Sequence, residues 1–271
     1  MGDARLSDGE RVLLVDGKGR RYLVTLHQGA AFHTHAGIVA HDDVIGAEEG
    51  VTVTGSTGRP FVVVRPTMAD VVLKMPRGAQ VIYPKDLGTI LMAADIGPGM
   101  RVLEAGVGSG ALSMVLLRAG AHVLGYELRA DFAERARANV RAALGEGMPY
   151  VVEERDVYEG IDPEGLDRVV LDLPEPWRVV PHAEEALRGG GILCAYVPSI
   201  TQVAELRARL EASRFAMAET SEVLRRTWHV EARSVRPDHR MVAHTGFITT
   251  ARLLAPPAGE PARRQGAGGA G

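Results

Sequence analysis

Four acidic side chains stand at the ends of four apolar segments and could together bind a cationic ligand. Glu104 ends RVLE, Glu127 ends HVLGYE, Asp156 follows VVEER, and Asp172 ends DRVVLD. The carboxyl ends of parallel strands meet at one edge of a sheet, where open α/β folds bind their ligands. Because carboxylates crowded together are costly to desolvate without partners, folding alone does not account for this set. The pattern predicts a ligand site at this edge.

A glycine-rich stretch follows the first of these acids and precedes a helical segment. Gly106, Gly108 and Gly110 allow a tight turn and a close approach of the backbone to a ligand. A dinucleotide site favours the spacing G-x-G-x-x-G, but here the third glycine comes one residue early. Several carboxylates would also repel a pyrophosphate, whereas they suit the sulfonium and ammonium groups of S-adenosylmethionine. An NAD-dependent oxidoreductase is therefore the more distant alternative.

The spacing between the glycine loop and the second acid supports a nucleotide-like ligand. Glu127 lies 21 residues after Gly106 (127 − 106), a distance at which an acid reaches the two hydroxyls of a ribose. The glycine loop taken alone is weak evidence, because many unrelated turns are rich in glycine. Its combination with four acids at strand ends makes a purely structural origin the less favoured explanation.

The segment after Asp172 is unusually stiff for a loop. It reads Leu-Pro-Glu-Pro-Trp, and its two prolines remove two backbone donors and restrict the backbone angles. We therefore expect a carboxylate that is held still at the end of a strand. Trp177 has two possible roles, as a stacking surface for a base or as a side chain that packs beneath the loop.

The pattern of the elements predicts an α/β protein with a small β domain in front. Residues 10–26 and 51–65 alternate polar and apolar residues around DGKG and GSTG, which is typical of β-hairpins. After residue 70, apolar strands alternate with helical segments, which indicates a parallel sheet covered by helices. We expect an N-terminal β domain at 1–70, a catalytic domain at 71–254, and a disordered Pro/Gly/Ala-rich tail at 255–271.

Composition limits the classes of function. The 271 residues carry a net charge of −3, but the last fifth of the chain, from residue 222, holds eight arginines against four acids. Such a local basic surface can bind a polyanion while the rest stays acidic. The single cysteine, Cys194, lies in an apolar run, which fits a reducing cytoplasm. No leader peptide or membrane-spanning segment is predicted.

Four segments carry a resemblance to a known family. They are QVIYPKD (80–86), VLEAGVGSGAL (102–112), LDLPEPW (171–177) and RPDHRMVAHTGFI (236–248). In this order they closely resemble the tRNA (adenine-58-N1)-methyltransferases of the bacterial and archaeal type, from the first hairpin to about residue 254. The resemblance implies a class I S-adenosylmethionine-dependent methyltransferase, with a Rossmann-like seven-stranded sheet and a small N-terminal β domain. It also implies a homotetramer that methylates N1 of an adenine in the tRNA T-loop.

The residue patterns and the resemblance together give individual residues expected roles. We expect Asp172 to accept a hydrogen bond from the N6 amine of the adenine, and Tyr83 to hold the base. The expected cofactor-binding residues are Gly106, Gly108, Ser109, Gly110, Ala111, Leu112, Glu127, Asp156 and Asp172. The expected RNA contacts are Arg225, Arg226, Arg233, Arg236, Arg240 and His244, with Trp228 and His239 beside them.

Other interpretations remain open at this level. A methyltransferase that acts on a protein or a small molecule would share the glycine loop and Glu127, but it would not need QVIYPKD or the late basic segment. A non-catalytic partner subunit should have lost the glycine loop or the strand-end acids, and this chain keeps them. The histidines at 27, 33, 35 and 41 have no cysteine beside them and fit no common zinc spacing, so we expect no metal site.

Overall fold

The structure is a computed structural model that describes residues 5–78 and 80–256. The chain folds into two compact units, Met1–Arg77 and Gly78–Gly271. The expected boundary at residue 70 falls inside a helix of the first unit, and most of the expected C-terminal tail, residues 257–271, lies outside the described part of the chain. No helix among the described residues is long and apolar enough to span a membrane.

The first unit contains an antiparallel sheet in the order β2-β1-β6-β5 and a separate hairpin of β3 and β4. Its elements are β1 (Arg11–Asp16), β2 (Arg21–Thr25), β3 (Ala31–Thr34), β4 (Gly37–Ala40), β5 (Thr52–Thr54), β6 (Pro60–Val64) and α1 (Met68–Lys74). Both hairpins expected at 10–26 and 51–65 are confirmed as the pairs β1/β2 and β5/β6. Apolar side chains on one face, among them Val12, Leu14 and Phe61, form the core of this unit.

The second unit contains a seven-stranded sheet in the order β12-β15-β11-β10-β7-β8-β9. Its first elements are α2 (Pro84–Ala93), β7 (Arg101–Ala105), α3 (Ala111–Arg118), β8 (His122–Glu127), α4 (Ala130–Leu144), β9 (Tyr150–Glu154) and β10 (Leu166–Asp172). The later ones are α5 (Val180–Ala186), β11 (Leu187–Val197), α6 (Ile200–Glu211), β12 (Phe215–Glu222), β13 (Trp228–Glu231), β14 (Ser234–Pro237) and β15 (Phe247–Leu253). The expected seven-stranded α/β fold is confirmed.

The direction of the strands determines where the acids lie. Strands β11, β10, β7, β8 and β9 run parallel, while β15 is antiparallel to β11 and β12. The central strands β7 and β10 are almost wholly buried, which is typical of strands covered on both faces. Their carboxyl ends therefore bring the glycine loop and the strand-end acids to one edge of the sheet.

Five further elements are absent from the sequence-based expectation: α1, α2, α5, and the hairpins β3/β4 and β13/β14. Helices α1 and α5 have only seven residues each, which is too few turns to produce a clear helical period. In β13 and β14 the apolar residues Val230 and Val235 are exposed. Because neither strand has a buried face, the sequence shows no alternation of polar and apolar residues there. Short length therefore accounts for α1 and α5, and solvent exposure accounts for the β13/β14 hairpin.

Candidate active site

The glycine loop connects β7 to α3 and leaves the first turn of α3 without a side-chain cap. Gly108 and Gly110 have φ values of +56° and +82°, which side chains rarely adopt. A Cβ atom at Gly110 would also lie 3.2 Å from the α-carbon of Ala136 in α4. The two glycines are therefore needed to form the loop and to let α4 pack against it. The N–H of Ser113 donates to the Glu104 carboxylate, whereas the N–H groups of Ala111 and Leu112 at the start of α3 are positioned to bind a ligand.

Three other residues expected to bind a cofactor have buried side chains. Ser109, Ala111 and Leu112 are each about 5 % exposed or less, so their backbone atoms are better placed than their side chains to contact a ligand. The Ser109 carbonyl accepts a hydrogen bond from the Asn139 side chain at 3.0 Å. This hydrogen bond joins the glycine loop to α4.

Glu127 holds the loop from the end of β8. One carboxylate oxygen accepts a hydrogen bond from the backbone N–H of Gly108 at 2.9 Å, and the other accepts one from the N–H of Arg129 at 3.0 Å. The acid therefore lies beside the glycine loop, as the spacing in the sequence predicts. Each oxygen has lone pairs to spare for further donors such as ribose hydroxyls.

Asp156 lies just beyond β9 and is half-buried. Its carboxylate accepts a hydrogen bond from the N–H of Tyr158 at 2.9 Å and thereby caps the single 3-10 turn Val157–Glu159. Next to it opens a cleft of about 540 Å³ that is lined by Leu128, Glu153, Glu154, Arg155, Asp156 and Glu159. A cleft with this acidic lining disfavours anionic ligands.

Glu104 is the most deeply buried acid of the group, with 0 % of its surface exposed. One of its oxygens accepts a hydrogen bond from the Ser113 hydroxyl at 2.6 Å, and that hydroxyl accepts one from Tyr150 at 3.0 Å. The other oxygen is buried and has no hydrogen-bond partner among the described residues. Burial raises the pKa of Glu104 to about 8, with additional contributions from the charges of Asp172 and Glu127.

Asp172 ends β10 next to these groups. Loss of hydration raises the pKa of its carboxyl to about 7. The side chain as a whole is exposed to solvent at the end of the strand, although many protein atoms surround its carboxyl group. The carbonyl of Asp172 accepts a hydrogen bond from the N–H of Gly106 at 3.3 Å, which joins the end of β10 to the glycine loop.

The stiff segment after Asp172 is fixed on two sides. The Pro174 carbonyl accepts a hydrogen bond from the Gln202 amide at 2.8 Å, and the N–H of Glu175 donates one to the Tyr158 hydroxyl at 3.2 Å. Trp177 packs against the main core of the second unit. This agrees with a side chain that packs beneath the loop, the second role considered from the sequence. The prolines and these two contacts together hold the segment that carries Asp172.

Tyr83 occupies the N-cap position of α2 and is half-buried. Its carbonyl accepts hydrogen bonds from the N–H groups of Asp86 and Leu87 at 2.9 and 3.0 Å. No hydrogen bond of its hydroxyl is present in the described part of the chain, so that group is available to a substrate. Its expected role in holding a base stays a prediction.

The arginines expected to bind RNA lie in and around the exposed hairpin of β13 and β14. Arg225, Arg226, Arg233, Arg236 and Arg240 are all exposed, and none pairs with a carboxylate among the described residues. Trp228, on the same hairpin, is 57 % exposed. Unpaired guanidinium groups beside an exposed indole are suited to phosphates and bases.

His244 has a different environment from these arginines. Its Nδ1 lies 2.7 Å from a carboxylate oxygen of Glu222 and its Nε2 lies 2.8 Å from the Pro198 carbonyl. Hydrogen bonds to these two acceptors raise its pKa and favour the doubly protonated ring. Since both ring nitrogens already have partners within the chain, this environment argues against the expected RNA contact.

The histidines of the first unit do not gather around one point. His41 is buried and its Nδ1 accepts a hydrogen bond from the N–H of His27 at 2.9 Å, while His35 contacts Arg20 beyond the end of β3. Within residues 5–78 and 80–256, no group of three or more His, Cys, Asp or Glu side chains is placed to hold a metal ion.

Comparisons with known protein families agree with this architecture. Residues 61–245 match the family described as the tRNA methyltransferase complex GCD14 subunit, and residues 5–53 match a family described as TrmI-like N-terminal. The tRNA (adenine(58)-N(1))-methyltransferase TrmI of Thermus thermophilus is 39% identical over 89% of this chain and 96% of its own length. The tRNA (adenine(57)-N(1)/adenine(58)-N(1))-methyltransferase TrmI of Methanocaldococcus jannaschii is 37% identical over 93% of this chain and 97% of its own.

Two solved structures are similar over nearly the whole chain. One is described as an S-adenosylmethionine-dependent O-methyltransferase from Thermotoga maritima, with a TM-score of 0.89, 34% identity, and coverage of 94% of this chain and 97% of its own. The other is the tRNA (m1A58) methyltransferase TrmI from Aquifex aeolicus, with a TM-score of 0.83, 30% identity, and coverage of 93% and 100%.

The raised pKa of Glu104 predicts a pH dependence of stability. Its folded pKa of about 8 lies above the unfolded value of 4.5, so the folded state holds the proton more tightly. This contribution to the free energy of unfolding is complete below the unfolded value and is lost as the pH rises through about 8. Glu104→Gln stays neutral, so its stability relative to the wild type should increase between about pH 5 and 8, by at most roughly 1.4 kcal/mol per pH unit.

Urea unfolding at several pH values, without added ligand, measures this difference. Glu205→Gln, at an exposed position of α6, removes the same charge and serves as the control with no such increase. Parallel pH profiles for Glu104→Gln and the wild type would show that Glu104 does not hold a proton in the folded protein.

Proposed function

The chain belongs to the family of the tRNA methyltransferase complex GCD14 subunit, and from this premise we propose that it transfers a methyl group from S-adenosylmethionine to N1 of adenine 58 in the T-loop of tRNA. The product is 1-methyladenosine. The observation that carries the proposal is the position of Asp172, a solvent-accessible carboxylate at the end of β10, beside the glycine loop and two further acids. The named relatives with this activity support the choice of substrate.

The residues at the strand ends fit S-adenosylmethionine. Glu127 can accept hydrogen bonds from ribose hydroxyls, and the uncapped N–H groups at the start of α3 can bind the carboxylate of the methionine part. Asp156 and the acidic cleft beside it suit an uncharged adenine and disfavour a pyrophosphate. Glu104, whose raised pKa favours the protonated form in the absence of a ligand, would ionise more readily beside a bound cation. When bound, S-adenosylmethionine supplies a methyl group on a positively charged sulfur.

Asp172 is proposed to act on the charge of the adenine ring. Neutral adenine already has a lone pair at N1, so the protein needs no base to activate it. As the methyl group arrives, the ring becomes cationic. A carboxylate that accepts a hydrogen bond from the N6 amine increases electron density at N1 and stabilises that positive charge. Because the segment after Asp172 is fixed by Tyr158 and Gln202, the carboxylate requires little reorganisation during the reaction.

The RNA must change its conformation to reach this site. The target adenine has to be turned out of the folded T-loop, at a cost of a few kcal/mol. We propose that the arginines around the β13/β14 hairpin and Trp228 bind the RNA and offset this cost. On the family resemblance alone we also propose a homotetramer. The buried lone Cys194 is compatible with a cytoplasmic location.

Two other functions are less well supported. A methyltransferase for a protein or small molecule is the second candidate, because one similar structure is described as an O-methyltransferase. A non-catalytic subunit would have no use for the carboxylates of Glu104 and Asp172 at the ends of their strands. Incorporation of labelled methyl groups into bulk tRNA, compared with a protein extract, separates these possibilities.

The direct test is nucleoside mass spectrometry of a tRNA transcript after incubation with the protein and S-adenosylmethionine. We expect 1-methyladenosine at position 58 with the wild type. Asp172→Asn keeps the shape but removes the charge, and it should reduce turnover by roughly 10²-fold or more while S-adenosylmethionine still binds. Glu175→Gln, on the same segment but paired with Arg178, is the matched control and should stay close to wild type. Near-normal turnover by Asp172→Asn would refute the role of Asp172.

Binding of tRNA should depend steeply on salt. Each arginine that contacts a phosphate contributes to the slope of log K against log salt. Substitution of Arg225, Arg226 or Arg236 by alanine should weaken binding and reduce the magnitude of that slope by about one. Arg207→Ala, at an exposed position of α6, is the control that should leave the slope unchanged. Equal slopes for all four variants and the wild type would remove the hairpin from the RNA-binding surface.

A further inference from the structure

A buried charged cluster joins two segments of the second unit that are distant in sequence. The Lys85 ammonium lies 2.7 Å from one carboxylate oxygen of Asp86, and the Thr245 hydroxyl donates to the other oxygen at 2.6 Å. Lys85 also donates to the Thr245 hydroxyl at 2.6 Å. The side chains of Lys85 and Asp86 are only 4% and 0% exposed. We call these three residues the Lys85–Asp86–Thr245 cluster.

Folding alone gives little reason for such a cluster. Two charges removed from water incur a desolvation penalty that their mutual attraction often fails to offset, and apolar side chains of similar size frequently stabilise a protein as well or better. A buried ion pair between neighbouring residues of one helix turn also adds no new connection between elements. The connection in this case comes from Thr245, which lies 160 residues away from Lys85.

The cluster is connected to Tyr83 through the first turn of α2. Lys85 and Asp86 belong to the first turn of α2, and the N–H of Asp86 donates to the Tyr83 carbonyl at 2.9 Å. A shift of Asp86 therefore shifts Tyr83. At its other end α2 is also anchored, because the buried guanidinium of Arg168 contacts the carbonyl of Ala94 and lies 2.9 Å from the carboxylate of Asp95.

The cluster is also tied to the strand that lies next to Asp172. The Tyr196 hydroxyl lies 3.5 Å from a carboxylate oxygen of Asp86, and Tyr196 pairs with Asp172 in the register of β10 and β11. Burial raises the pKa of Tyr196 to about 12, and the charges of Asp86 and Asp172 add to the rise. One side chain thus connects the cluster to the proposed catalytic acid.

The loop that carries Thr245 is fixed by its two neighbours. His244 contacts the Pro198 carbonyl at 2.8 Å, just beyond the end of β11. A Cβ atom at Gly246 would overlap the ring of Tyr196, so only glycine lets the loop pack against that ring. The Thr245 hydroxyl is consequently held at a defined point relative to β11.

We propose that the Lys85–Asp86–Thr245 cluster positions Tyr83 relative to Asp172 for methyl transfer, so that Lys85, Asp86 and Thr245 are positioning residues. The inference rests on the proposed function, because it concerns the placement of the target base. It explains why segment 80–86 contributes two buried charged side chains, and segment 236–248 the half-buried Thr245, to one cluster.

The sharpest test is a pair of substitutions at Thr245. Thr245→Val keeps the shape but removes the hydroxyl, whereas Thr245→Ser keeps the hydroxyl. A displacement of about 1 Å can reduce a rate by about 10²-fold. For Thr245→Val we expect kcat to fall by about 10-fold to 100-fold, with the KM values for S-adenosylmethionine and tRNA unchanged. Thr245→Ser should restore kcat to near wild type. A kcat for Thr245→Val within twofold of wild type would overturn the inference.

A second variant separates positioning from stability. The double substitution Lys85→Met with Asp86→Leu removes both charges and fills the space with apolar atoms, so the melting temperature should stay close to that of the wild type. We expect kcat to remain as low as in Thr245→Val. A double variant with wild-type kcat would show that the two charges are not needed to position Tyr83, and would overturn the inference.

Hydrogen–deuterium exchange keeps this test independent of the methyl acceptor. Amide groups of the first turns of α2 should exchange faster in Thr245→Val than in Thr245→Ser or the wild type. Unchanged exchange in Thr245→Val would overturn the inference. Absence of 1-methyladenosine formation by the wild type would instead refute the proposed function, whatever the exchange data show.

Discussion

Glu104, Glu127 and Asp172 bring three carboxylates to one edge of the sheet, where each disfavours the charge of the others. The protein reduces this cost by giving Glu127 two backbone donors and Glu104 the Ser113 hydroxyl. The second oxygen of Glu104 has no partner in the described chain, and the pKa values of Glu104 and Asp172 are raised to about 8 and 7. A cation bound at this edge would offset the remaining cost. The site is therefore more favourable with a cationic ligand than without one.

The surrounding structure fixes these groups in place. The glycine loop requires positive φ at two positions, and the close approach of α4 tolerates no side chain at Gly110. Hydrogen bonds to Gln202 and Tyr158 hold the segment after Asp172. The Lys85–Asp86–Thr245 cluster holds the start of α2. Each of these contacts comes from a different element of the second unit. The scaffold thus supplies rigidity where the proposed chemistry develops charge.

The central elements could be predicted from the sequence, because each carries a local signal. The helix Ala130–Leu144 has a long amphipathic period and the strand His122–Glu127 is a buried apolar run, and both signals are unambiguous. The four strand-end acids could be identified because the ends of parallel strands meet. The contact of Lys85 with Thr245 could not be predicted, since 160 residues separate them and neither segment reveals its partner. The partners of His244 were missed for the same reason.

Isothermal titration calorimetry of S-adenosylmethionine binding near pH 7, in two buffers with different enthalpies of ionisation, tests the central claim most directly. If the cation is held by carboxylates that are partly protonated in its absence, binding releases protons, and the observed heat differs between the buffers. Glu104→Gln should release fewer protons than the wild type. Binding without any proton release, or no binding at all, would contradict the account.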